Sequence, residues 1–171
     1  MKKYQSGSVA LWVVLGIVVA GVVTGLASFI SAKNLGARSE NAIKADWENL
    51  ENILGQYSLK VKEAAQVPKM ATADLKNVMS SALSGRYGAD GSKAVFQFIK
   101  EAYPGSVDPT LYRKVQQIVE SGRNEFQNAQ TSMIDKKRTY QNNLDYFWSG
   151  LWLNFAGYPK IDLAKYHAAA A

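Results

Sequence analysis

The run ALWVVLGIVVAGVVTGLASFI, from Ala10 to Ile30, holds 21 residues without one charged side chain. As a helix it measures roughly 31 Å, about the hydrocarbon thickness of a bilayer. A surface helix of a soluble protein would present a polar face. This run offers only Thr24 and Ser28, whose hydroxyls can bond back to a carbonyl one turn earlier. A secretory signal has a shorter apolar region, about 7–15 residues, closed by small residues at the cleavage site. Here the run is longer, and cleavage after Ala32 would place bulky Ile30 at the minus-three position. The sequence therefore predicts an uncleaved membrane anchor over 9–32, behind a basic leader over 1–8 that carries Lys2 and Lys3. After the anchor, Lys33, Arg38 and Lys44, offset by Glu40, nearly balance that leader. Charge bias thus leaves both membrane orientations open.

Beyond the anchor the chain is long enough for one modest core. Its 20 Lys and Arg against 14 Asp and Glu give a formal charge of +6. That excess would suit anionic lipid or nucleic acid, but the cations are spread along helices beside acids, as on a solvated face. Nucleic acid is therefore disfavoured as a partner. With no cysteine, the chain has no disulfide, thiolate metal site or thiol nucleophile, and its one histidine is His167 in the tail. No paired-histidine, nucleotide-binding or nucleophile-elbow motif is present. Glu48 with Glu51 and Glu120 with Glu125 are the carboxylate pairs that helical spacing brings near each other. The first pair reads as a solvated face and the second as two different faces. No catalytic residue, cofactor or metal is expected.

Past Gly36, which reads as a loosening of the chain, the apolar pattern becomes periodic, with Ser39 as an N-cap. Ile43, Trp47, Leu50, Leu54, Tyr57, Val61 and Ala65 then alternate steps of four and three, one stripe of a helix that Pro68 should end. Leu75, Val78, Met79, Ala82 and Leu83 predict a second helix from Thr72 or Ala73 to near Gly85. GRYGADG reads as a loop, and Val95, Phe96, Ile99 and Ala102 mark a short helix over 92–102. Asp108 and Pro109 form a restart signal. From Leu111, a stripe through Val115, Ile118, Gly122, Phe126, Ala129, Met133, Tyr140, Leu144 and Phe147 predicts one helix of about forty residues, close to 60 Å. Such a rod needs other helices over its stripe. No alternation suited to a sheet is present, so the expected fold is all-α: one transmembrane helix followed by an antiparallel bundle of long helices over 39–166, with an uninformative tail over 167–171.

Three features invite binding. GVVTG sets Gly21 and Gly25 at the small-xxx-small spacing that lets membrane helices approach, a route to a homo-oligomer. Trp148, Trp152, Phe155 and Tyr158 form an aromatic cluster that would cap the open end of the bundle, or meet protein or the lipid interface. Lys136, Lys137 and Arg138 stand side by side but spread around a helix as a solvated collar, the alternative being a basic contact to phosphates.

EAYP at 101–104, the restart DPTLYRKVQQIVE, the stretch RNEFQNAQTSMIDKKRTYQNNL and the closing GYPKIDLAKY resemble the LemA family of bacterial membrane-anchored helical proteins. Glu101, Tyr103, Pro104, Arg123, Phe126, Gly157 and Tyr166 stand at the places of that family's pattern. Of its arginine-x-x-leucine-(isoleucine or valine)-proline stretch only Val67 and Pro68 remain. This chain therefore resembles a divergent branch of that family, chromosomal or phage-borne. The resemblance implies an anchored bundle in the cell envelope, most often at the bacterial inner membrane, and no catalytic residue. The function expected is a non-catalytic scaffold or interaction module whose partners are membrane lipid and another protein. The alternative is a structural or virion protein that self-assembles through its anchor.

Overall fold

The computed structural model describes residues 6–67, 69–85, 88–106 and 110–166. Lys2, Lys3, Pro68, the Asp108–Pro109 restart, His167 and the 167–171 tail lie outside the described residues. The described chain is all-helical, with no strand: α1 (Ser6–Ala64), α2 (Thr72–Leu83), α3 (Gly91–Ala102), α4 (Leu111–Asp145) and α5 (Phe147–Phe155), plus single 3₁₀ turns at Gly88–Asp90 and Pro104–Ser106. It divides into two compact units. The first joins Met1–Glu40 to Thr139–Ile161, and the second joins Asn41–Arg138 to Asp162–Ala171.

The loosening expected at Gly36 does not occur, nor is Ser39 an N-cap, because α1 continues unbroken to Ala64. A mid-helix glycine costs about 1 kcal/mol in an isolated helix. Here it makes room for a ring: a Cβ at Gly36 would come within 2.7 Å of the Tyr158 side chain. α1 closes instead in a Schellman arrangement, with Val67 N–H donating to the Lys62 carbonyl at 3.2 Å and Gln66 N–H to that of Glu63 at 3.1 Å. Gln66 occupies the left-handed position, φ 54°, where glycine is usual.

In the second unit, the expected stripe of α1 is buried at Leu50, Tyr57, Val61 and Ala65, with Trp47 and Leu54 at its margin and Ile53 as an unforeseen member. Against it lie Leu75, Met79 and Leu83 of α2, Val95 and Ile99 of α3, and Leu111, Val115, Phe126 and Met133 of α4. Ala102, expected in the α3 stripe, is exposed, while Val119 joins the core unforeseen. Along α1 the partners on α4 fall in number as α1 rises. Asp46 meets Ser132 (2.9 Å) and Lys136 (2.7 Å), and Tyr57 meets Glu125 (2.9 Å). A Cβ at Gly122 would come within 2.8 Å of the Tyr57 ring, so glycine admits tyrosine here as it does at Gly36.

In the first unit the long stripe stops short of its expected end. Tyr146 is extended (φ −68°, ψ 137°), and α4 gives way to α5. Phe147, expected as the last core residue of the rod, is 84% exposed at the start of the new helix. The break is held by Ser149 Oγ donating to the Asn143 carbonyl at 2.7 Å. It also depends on Gly150, where a Cβ would overlap the Leu144 carbonyl oxygen. α5 ends in a second Schellman arrangement: Tyr158 N–H donates to the Leu153 carbonyl and Gly157 N–H to that of Asn154, both at 3.0 Å, with Gly157 at φ 79°. That reversal brings Tyr158 back to α1, where it joins Ala32 and Leu153 as the core of this unit.

Candidate functional site

The first unit carries the most exposed apolar surface of the described chain. From Val9 to Ile30 the large side chains of α1, half-buried Phe29 apart, face outward, and the window most suited to a membrane has a mean hydropathy of 2.6 with none of it buried. α1 is the one described helix long and apolar enough to cross a bilayer. Thr24 Oγ1 donates to the Ala20 carbonyl at 2.8 Å, the back-bond expected of it, so its hydroxyl hydrogen needs no water.

α5 lies beside the C-terminal part of this run. A Cβ at Gly25 would sit 3.6 Å from the Trp152 ring, Phe29 and Phe155 meet edge to face at 6.2 Å, and Tyr158 Oη donates to the Lys33 carbonyl at 3.2 Å. A groove of about 450 Å³ opens between α1 and α5, lined by Val23, Ala27, Leu35, Trp148 and Trp152 among others. The indole Nε1 of Trp152 is buried without a hydrogen-bond partner.

The expected aromatic cluster is thus divided. Trp148 and Phe155 are exposed, Trp152 is half-buried against α1, and Tyr158 is a core residue, not a surface one, because the turn at Gly157 folds it under. Phe147 and Leu151, which the sequence reading did not place on this surface, complete the exposed face of α5. Their i, i+4, i+8 relation to Phe155 was the available signal. Of the GVVTG glycines, Gly21 has open space around it while Gly25 faces Trp152 of its own chain.

The expected basic collar is also resolved residue by residue. Lys136 pairs with Asp46, and Arg138 stands exposed 4.0 Å from Asp135. Lys137 is not on a solvated face: it is 4% exposed and its Nζ has no hydrogen-bond partner. It falls on the α4 stripe, between Met133 and Tyr140, so burial was readable from spacing. Burial holds its ammonium below the ordinary lysine range, and the charge of Asp162 opposes that shift only in part. A depressed lysine pKa means that folding is penalised while the ammonium is charged, and that the penalty lifts as pH rises toward the unfolded lysine range. Lys137→Met is accordingly expected to stabilise the fold at neutral pH by about 1–2 kcal/mol, an advantage that shrinks toward pH 10. Thermal unfolding of the detergent-solubilised chain at both pH values measures it. A destabilised variant at neutral pH would contradict this account.

The first unit contains one further buried polar group that the sequence reading passed over. Glu40, 4% exposed, accepts through Oε1 from Tyr140 Oη at 2.9 Å, from Lys160 N–H at 2.6 Å and from Ile161 N–H at 3.4 Å. It clamps the returning C-terminal segment to α1. The glutamates of the two carboxylate pairs are placed separately. Glu125 accepts from Tyr57, Glu120 from Gln116 at 2.8 Å, and Glu48 and Glu51 are exposed. Among the described residues no group of three or more His, Asp or Glu could hold a metal ion.

Comparison with known protein families, with curated proteins and with solved structures finds no match. The likeness to LemA rests on the sequence motifs alone.

Proposed function

We propose that this chain is a single-pass membrane protein whose antiparallel helical bundle serves as a non-catalytic scaffold or interaction module, resembling LemA in design, at the bacterial inner membrane. One observation carries the reading: a charge-free helical run whose most apolar window has no buried residue belongs to the same unbroken helix, α1, whose later residues line a packed core. Apolar side chains exposed over some 30 Å of helix are stable in lipid and costly in water. The falling order of α4 partners along α1 supports the antiparallel arrangement.

The packing of the first unit also argues for an anchor that is kept. Cleavage after Ala32 would remove Gly25, Phe29 and Ala32, which Trp152, Phe155 and Leu153 contact or pack with. A matured chain would then expose the inner side of α5 as well as its outer side. Self-assembly through GVVTG has less support, since Trp152 of the same chain takes the Gly25 side.

The test is protease protection on intact cells and spheroplasts with a C-terminal epitope. The expected band is full length, 18.8 kDa plus the epitope, and stays in carbonate-washed membranes. Digestion from outside would put the bundle on the outer side, and protection in spheroplasts on the cytoplasmic side. A shortened soluble band would end the anchor reading.

A further inference from the structure

From the outer face of α5 we infer that this short helix is a second lipid-contacting element, lying in the bilayer interface against the end of the anchor; the inference rests on the anchor reading above. Phe147, Leu151 and Phe155 recur at i, i+4 and i+8, and with Trp148 they cover one side of α5, opposite buried Gly150 and Leu153. Phe147 and Phe155 are 84% and 80% exposed, values that a folded chain in water has no reason to keep on one short helix.

The occupant of this face follows from its continuity with the anchor. α5 is level with the stretch of α1 from Gly25, opposite Trp152, to Ala32, which packs with Leu153. Gly25 is five residues inside the end of the charge-free run at Ile30, so Trp152 sits roughly 8 Å below that end. Interfacial helices bury their apolar face about 5–10 Å into the boundary between headgroups and acyl chains, the same depth. Leu26 and Ile30 of α1 are exposed over this interval, and Val22 one turn before it, so one apolar surface runs from the anchor toward α5. Aromatic residues supply most of the α5 face, as at membrane interfaces generally. Lys33 and Lys160, both exposed, stand at the end of the charge-free run, where ammonium groups would meet lipid phosphates, and the Lys160 ammonium lies over the Tyr158 ring, Nζ 4.7 Å from its centre. Lipid as the occupant also explains why a nine-residue helix is held so firmly, by Glu40, Gly150 and Tyr158, with its most apolar side turned outward.

The chain has no cysteine, so single cysteines carry a spin label without background. Phe147→Cys and Phe155→Cys would be labelled in the full-length protein, reconstituted in vesicles of phosphatidylcholine and phosphatidylglycerol. Leu15→Cys in the charge-free run and Leu59→Cys, exposed in the second unit, serve as references. The labels at 147 and 155 should collide readily with oxygen and poorly with a water-soluble nickel chelate, at a depth of about 5–10 Å. The label at 15, roughly 8 Å inside the other end of the charge-free run, should also read in lipid, and the label at 59 aqueous. If 147 and 155 match 59 while 15 remains in lipid, the role of α5 is overturned and the anchor stands. If 15 also reads aqueous, the anchor reading falls and this inference with it.

Discussion

Glu40→Leu should cost the first unit roughly 3–5 kcal/mol, because it strips the acceptor from three donors at once and leaves the Tyr140 hydroxyl buried without a partner. The side chain has similar bulk, so the loss reports hydrogen bonding more than packing. Glu40→Gln, which keeps an amide oxygen, should recover a large part of it. Tyr140→Phe removes one donor and leaves the acceptor two others, so its cost should be about 1 kcal/mol. Hydrogen exchange of the detergent-solubilised chain would locate the effect: amides of 153–161 should exchange far faster in Glu40→Leu, with those of α2 and α3 unchanged. Uniformly faster exchange would contradict a local clamp.

The same cluster sets an alkaline limit. Burial first, and then the hydrogen bond to Glu40, raise the Tyr140 phenol above its ordinary value of 10.0, and Tyr57 is raised by burial and by Glu125. For a raised folded pKa, the folded chain holds a proton that the unfolded chain has released. Its contribution is complete below the unfolded value and is lost as pH climbs through the folded one. Stability should therefore fall above about pH 10, and less steeply in Tyr140→Phe.

What could be read from sequence, and what could not, follows from range. Period and composition define the apolar run, the boundaries of α2 and the start of α4, because these depend on neighbours within two turns. The two stripes also had gaps that spoke. Extending the α1 stripe back by steps of three and four from Ile43 meets Glu40 and then Gly36. On α4 the interval between Met133 and Tyr140 is bridged by Lys137. All three are buried. A polar residue or a glycine on an apolar stripe is thus a mark of burial, which outweighs the loosening that Gly36 suggests alone and the solvated collar that Lys137 suggests among its charged neighbours. The division of the tail aromatics was beyond such reasoning. Tyr158 is buried only because Gly36 is vacant of a side chain 122 positions earlier, and no local period encodes that.

Gly150 poses the sharpest steric question in the molecule. Elsewhere an added Cβ meets open space, a side chain that can turn or, at Gly91, the Ala82 carbonyl oxygen no nearer than 3.1 Å; at Gly150 it overlaps the backbone carbonyl of Leu144. Even Gly150→Ala should therefore force α5 away from the end of α4, at a cost of about 3 kcal/mol, the upper range for overpacking. The displaced helix would take Leu153 out of its contact with Ala32 and Trp152 off Gly25. Gly16→Ala is the matched control: it lies in the same unit, on a helix, with nothing within 4 Å of the added methyl. That change should be neutral or stabilise slightly, by up to about 1 kcal/mol, since alanine is the better helix former. Denaturant unfolding in detergent, followed by tryptophan emission, compares the two. If Gly150→Ala unfolds like Gly16→Ala, the fold-back at Tyr146 is not the native arrangement, and the apolar face of α5 has to be sought on a longer α4. If they separate by the expected margin, the end of α4 is a built corner whose geometry holds α5 against α1.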